Sequence, residues 1–303
     1  MENFKGGIGS ATGGMAFSAV VVFYVFLSLI CSLVCTAAGL AADDAVYIYI
    51  NYLVAPVAIA IGITLVLKVQ KASFRTLVPL RMPKKLCAKW CAAAVLLTFG
   101  LLFSASWINV GFSLLLERLG YESTVNYFPP LGGGGVALAL LVIAVIPALF
   151  EETLFRGVVL GNIREQAGGL NAVFLCGMCF ALFHASALQT FYQFVCGCAF
   201  ALLAIRSRSL IPSVIAHFIN NAVIIVLQAC GLDTSGTIFD WAPLWAAILV
   251  TVLSALSFAA SLTMLIVGWS PEKPQKGGVS KFFVTAALGI AALVIIWIAG
   301  LFA

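Results

Sequence analysis

The sequence predicts an all-α protein, a polytopic transmembrane helix bundle of about eight or nine spans. Three observations predict it. The 303 residues are 63% hydrophobic and only 9% charged, with mean hydropathy +1.14, where a soluble domain carries about 25% charged residues. Apolar runs of spanning length recur along the whole chain, and the basic residues fall between them in a biased pattern. The chain is therefore read as one membrane domain, residues 1–303, rather than the two soluble domains its length would allow.

In order, the expected spans are 15–40, 47–67, 91–116, 136–163, 170–187, 190–205, 210–230, 243–268 and 282–302, since about 20 apolar residues cross a bilayer. The first run is too long for a signal-peptide core and is read as a retained span. Spans 170–187 and 190–205 are short, so tilt or a dip of the "HASALQT" link into the bilayer is expected between them. "FPPLGGGG" before residue 136 reads as a loop from its proline and glycine content. No internal repeat is visible.

Charge placement sets the orientation. Residues 68–89 hold Lys68, Lys71, Arg75, Arg81, Lys84, Lys85 and Lys89 with no acid among them. The positive-inside rule puts that loop in the cytoplasm. Alternation then places Lys5, Arg164, Arg206, Arg208, Lys273, Lys276 and Lys281 on the same side, and Asp43, Asp44, Glu117, Glu122, Asp233 and Asp240 on the other. The N-terminus is expected inside and, with nine spans, the C-terminus outside. The net charge of +5 reports this orientation. A basic cluster at a membrane end needs no nucleic acid to explain it.

The nine cysteines, including the Cys176/Cys179 pair, lie mostly within apolar runs. They read as small buried hydrophobes, without the spacing of a disulfide framework.

Against this background "EETLFRGVV", residues 151–159, stands out: two acids and an arginine inside an apolar run. Glu151 lies about 12 residues, hence ~18 Å, from the inner end of its span. A charge at that depth costs at least ~2.5–3.5 kcal/mol, faces the bundle interior and marks a functional site. Glu152 and Arg156 are i and i+4 in the favourable order and should pair. Glu151 points about 100° away, unpaired and desolvated, as a general base requires. Pro147 removes a backbone hydrogen bond one turn earlier, and Gly157 and Gly161 allow close helix approach.

The chain has two histidines. His184 ends "FALFH", four residues after Phe180; His217 opens "HFINN" and shares a helix face with Asn221. A buried Glu, two His and Asn can activate a water and stabilise an oxyanion; they can equally bind a divalent metal.

"EETLFR", "FALFH" and "HFINN" together resemble the three motifs of the CPBP family, the CAAX proteases and bacteriocin-processing proteins also called Abi. The resemblance covers about 145–225; the catalytic core is placed at about 136–230, with flanking spans at 15–116 and 243–302. It implies an intramembrane endopeptidase in which Glu151 activates water, His184 assists, and His217 and Asn221 form the oxyanion site. Glu152, Arg156 and Phe180 would give structural support. A zinc or similar ion, if present, would take Glu151, His184 and His217, but H-E-x-x-H is absent and a metal-free glutamate mechanism is equally open. The implied partners are the lipid bilayer and a membrane-associated protein or peptide, in a bacterial plasma membrane. Two other classes fit a buried polar cluster: a proton-coupled transporter and a non-catalytic bacteriocin-immunity protein.

Overall fold

The computed structural model describes residues 8–78, 88–121, 128–232, 234, 236–275 and 279–301, and these residues are helices and short links without a strand. Lys5, Arg81, Lys84, Lys85, Lys276, Glu122, Asp233 and Cys87 lie outside the described residues. Among the described residues nine helices of 15 residues or more follow one another: α1 (Ser10–Ala37), α2 (Ala45–Val69), α3 (Ala88–Arg118), α4 (Gly135–Ala167), α5 (Gly169–Phe183), α6 (Thr190–Ser207), α7 (Ile211–Ala229), α8 (Leu244–Ile266) and α9 (Ser280–Ala299). Every expected span is present within a few residues. Eight are long and apolar enough to cross a membrane; α5, with 15 residues, rises only ~22 Å, short of the ~30 Å hydrocarbon core. The protein is a multi-pass membrane protein.

The helix ends follow local chemistry. Gly168, at φ 78°, breaks α4 from α5, a conformation that costs glycine little. The α6–α7 turn passes through Arg208 at φ 55° and starts α7 with Pro212 in its first turn, where the missing N–H is no loss. α4 is not a uniform α-helix. It widens to π-helix over Leu140–Val145 and again over Thr153–Leu160, on either side of the Glu151–Glu152 turn. Such widenings concentrate at functional sites.

α4 runs through the middle of the bundle, packed by α1, α2, α5, α6 and α7. α8 lies against α3 and α9 against α1, with apolar side chains such as Trp245, Leu256, Val284 and Leu288 turned outward. In a bilayer those faces meet lipid, which is as apolar as they are. α5 and α6 cross with their backbones touching. A Cβ on Gly197 would sit 2.8 Å from the Gly177 Cα, so only glycine fits the crossing.

At the inner end the link after α8 straps the α4–α5 junction. Gly169 N–H donates to Glu272 O and Gln275 N–H to Gln166 O, both at 3.0 Å, and Arg164 pairs with the Glu272 carboxylate. Partial burial alone would raise the Glu272 carboxyl, but the hydrogen bond and charge of Arg164 outweigh it and hold the group below its ordinary value. Among the described residues the cysteines are free thiols, most of them buried, in keeping with their reading as small hydrophobes.

Candidate active site

Glu152 and Arg156 are fully buried and joined at 2.7 Å, Nη1 to Oε1. Arg156 Nη2 donates to Gly197 O at 3.0 Å. The glycine crossing of α5 and α6 thus brings a backbone carbonyl to the guanidinium. Its flat face lies 4.5 Å from the Phe180 ring centroid and 5.4 Å from that of Phe200, a cation–π arrangement that strengthens when desolvated. Phe180 also packs edge-on against both histidine rings. The three residues expected as support therefore form one unit beneath the histidines.

His217, on α7, joins that unit. Its Nδ1 lies 2.9 Å from Glu152 Oε1. A carboxylate only accepts, so Nδ1 carries the proton and Nε2 is turned the other way. Nε2 is 4.0 Å from Glu151 Oε2, too long for a hydrogen bond. His184 is fixed in the same manner from α5: its Nδ1 donates to Phe180 O at 2.9 Å, leaving Nε2 free. Both imidazoles line the same cavity as Glu151, each held at Nδ1 by an acceptor behind it.

Glu151 is 9% exposed, and its Oε2 is buried with no hydrogen-bond partner among the described residues. The two neighbouring carboxylates are thus unlike, as their positions on the helix predict. Glu152 is bonded to a cation and an imidazole, while Glu151 faces the cavity.

Asn221 has a bond that sequence reasoning did not foresee. Its Nδ2 donates to Ile143 O at 3.0 Å. Ile143 lies four residues before Pro147, which has no N–H to offer that carbonyl; the amide of α7 supplies the missing donor, as neighbouring helices do in membranes. Asn221 Oδ1 accepts from Asn220 Nδ2 at 3.2 Å, and Asn220 Oδ1 accepts from the Tyr192 hydroxyl at 2.9 Å. Tyr192 and Asn220 were not singled out from the sequence. The adjacent Asn in "HFINN" was the available signal for Asn220, whereas nothing in the sequence pairs Tyr192 with it.

The depths counted along the helices differ widely, yet the residues meet. Glu151 lies 16 positions from the end of α4 and His217 six from the start of α7, a gap of ~15 Å at the helix rise. Contact between His217 and the Glu151–Glu152 turn requires that the inner ends of α4 and α7 be unlevel or the helices inclined.

The cavity measures about 920 Å³, near the upper end of ligand-pocket sizes. Among the described residues no three His, Cys, Asp or Glu side chains are grouped closely enough to hold one metal ion. Glu151, His184 and His217 are suitable donors by type, but they do not converge as arranged.

Residues 133–223, which build this site, match the family described as "Type II CAAX prenyl endopeptidase Rce1-like". The chain is also 22% identical over 139 residues to the protein named "Putative membrane peptidase YdiL" of Bacillus subtilis (strain 168), covering 41% of this chain and 57% of that protein's length. No solved structure matches the chain. The segment that carries the three motifs and their contacts is therefore similar to the Rce1-like, type II CAAX prenyl endopeptidase family.

Proposed function

We propose that the protein is an intramembrane endopeptidase of the CAAX-protease type, cleaving a peptide bond of a membrane-associated protein or peptide. The observation that carries this reading is the pairing of unlike carboxylates. Glu151 is buried, its Oε2 has no hydrogen-bond partner among the described residues, and it faces a cavity with both histidines; Glu152 is neutralised behind it.

In this reading Glu151 takes a proton from a water whose oxygen attacks the scissile carbonyl. The same proton passes to the leaving amine as the tetrahedral intermediate breaks down. His184 Nε2 accepts from the water and orients it. His217, held at Nδ1 by the Glu152 carboxylate, presents Nε2 to the developing oxyanion as a hydrogen-bond donor. Asn221 keeps one amide N–H on Ile143 O and offers the other to the same oxygen. The catalytic core is residues 136–230, and the flanking spans complete the bundle in a cell membrane.

The test is co-expression of wild type or Glu151→Gln with a membrane proteome, read by peptidomics of the membrane fraction. Products present with wild type and absent with Glu151→Gln are expected, and identical peptide sets would defeat the reading. Chelation of the purified, active protein separates the two chemistries. Retained activity is expected; loss restored by zinc would replace the glutamate route with a metal one and leave the peptidase standing.

A further inference from the structure

The cavity has a blind end and an open end. On α4 its lining stops at Glu151, after Ile143 and Pro147, and no residue beyond reaches it. On α7 it runs from His217 to Gln228, next to the last residue of that helix; on α3 it runs from Leu102 to Glu117, also next to the last. Asn51, near the start of α2, and Trp241, in the α7–α8 link, complete the mouth. These helix ends lie on one side of the bundle. It is the side that carries Asp43, Asp44, Glu117 and Asp240, with Arg118 among them. The basic ends, such as Lys68 and Lys89, are on the other. By the positive-inside rule the mouth opens away from the cytoplasm.

The wall chemistry narrows what enters. Seven of the chain's fourteen Asn and Gln line this one cavity. Carboxamides both donate and accept, matching the alternating N–H and C=O groups of an extended peptide backbone. A bare hydrocarbon tail would instead leave Asn109 Oδ1, which is buried with no hydrogen-bond partner among the described residues, without one. Among the described residues that line it there is no lysine or arginine, and the acids are Glu117 and Glu151. Carboxylates in a low-dielectric cleft disfavour anions and concentrate cations.

We propose that substrate enters from the non-cytoplasmic side as an unprenylated, neutral or basic extended segment, held along its backbone by the carboxamide wall. The proposal rests on the peptidase reading and adds the side of entry and the chemistry of what is cleaved.

The test uses single cysteines at Asn109, deep on α3, and at Gln228, at the mouth, with Lys89→Cys as the opposite-end control. All are made in a background with the nine native cysteines replaced by Ala or Ser, Cys196 included because it lines the same cavity, and only variants melting like wild type are used. Intact cells are treated with membrane-impermeant thiol reagents of similar size, one cationic and one anionic. Labelling of the Asn109 and Gln228 variants is expected before permeabilisation, and of the Lys89 variant only after it. The cationic reagent should react at the Asn109 variant at least about threefold faster. The reverse labelling pattern would overturn the side of entry, and equal rates or a faster anion would overturn the charge preference. In the peptidomics, wild-type-dependent products should map to non-cytoplasmic segments; products bearing an isoprenyl cysteine would overturn the substrate class. Outside labelling together with peptides unchanged by Glu151→Gln would leave the entry route standing and refute the peptidase reading instead.

Discussion

The two adjacent carboxylates should respond oppositely to the same chemical change. Glu152→Gln keeps an oxygen that can accept from Arg156 and His217 but removes the charge that balances a guanidinium with no exposure at all. Breaking a buried pair on one side costs about 3–5 kcal/mol. The glutamine belongs near the lower figure, because its hydrogen bonds survive, and Glu152→Ala near the upper. At about 2.1 cal/mol/K per residue, 303 residues give an unfolding entropy of ~640 cal/mol/K, so 3–5 kcal/mol corresponds to a fall in Tm of roughly 5–8 °C. Glu151→Gln removes a charge whose buried oxygen has no hydrogen-bond partner among the described residues, so its Tm should stay within about 1 °C of wild type, or rise, while peptide cleavage is lost. The measurement is thermal unfolding in detergent, followed by tryptophan fluorescence, alongside cleavage by the same preparations. Arg156→Met added to Glu152→Gln should recover part of the lost stability, since the uncompensated cation is then gone. If Glu151→Gln melts several degrees low and Glu152→Gln does not, the division of labour between them is wrong.

His184→Ala and His217→Ala should each lower turnover by about a hundredfold or more. The losses of His217→Ala and Asn221→Ala should combine non-additively if both serve one oxyanion, and single-turnover rates of the double variant decide it. Of the two histidine variants, only His217→Ala should also lose stability, by about 1–3 kcal/mol, because it strips a donor from the buried Glu152. Gly197→Ala would place a methyl 2.8 Å from the Gly177 Cα, prising α5 from α6 and drawing the Gly197 carbonyl off Arg156. A loss of about 1–3 kcal/mol in thermal unfolding is expected. At the inner strap, the lowered Glu272 carboxyl adds stability that is present above the ordinary carboxylate value and lost as pH falls through its folded one. The difference in Tm between wild type and Glu272→Gln should therefore be small at neutral pH, as for exposed pairs, and vanish on acidification below about pH 4. A constant difference across that window would contradict the pairing.

The spans were legible in the sequence because each helix is specified by its own run of apolar residues, which a chain must spell out locally to cross a bilayer. The Glu152–Arg156 pair was legible for the same reason, being one turn of one helix. Contacts between helices were not. Nothing in "HFINN" says that His217 Nδ1 meets Glu152, that Asn221 serves the carbonyl left bare by Pro147, or that Tyr192 reaches Asn220. These depend on how distant segments are inclined and which faces meet. The π-helical turns around Glu151 were likewise invisible, since a widened turn changes one hydrogen bond and no residue type. Depth counted along separate helices is a poor guide to which residues meet, because it takes their inner ends to lie at one level.

The location of the Glu152–Arg156 pair within a single helix bears on how the chain enters its membrane. A spanning segment is handed to the bilayer before its neighbours have assembled around it, and each naked charge opposes that transfer by about 2.5–3.5 kcal/mol. Here the countercharge arrives on the next turn of the same helix, 2.7 Å away in the finished protein, so neutralisation does not wait for folding. Only the groups that complete the arrangement come later: the Gly197 carbonyl and the His217 ring, supplied by segments synthesised 41 and 65 residues downstream. The arginine can therefore be inserted as half of an ion pair and acquire its remaining partners afterwards, as the rest of the bundle closes around it.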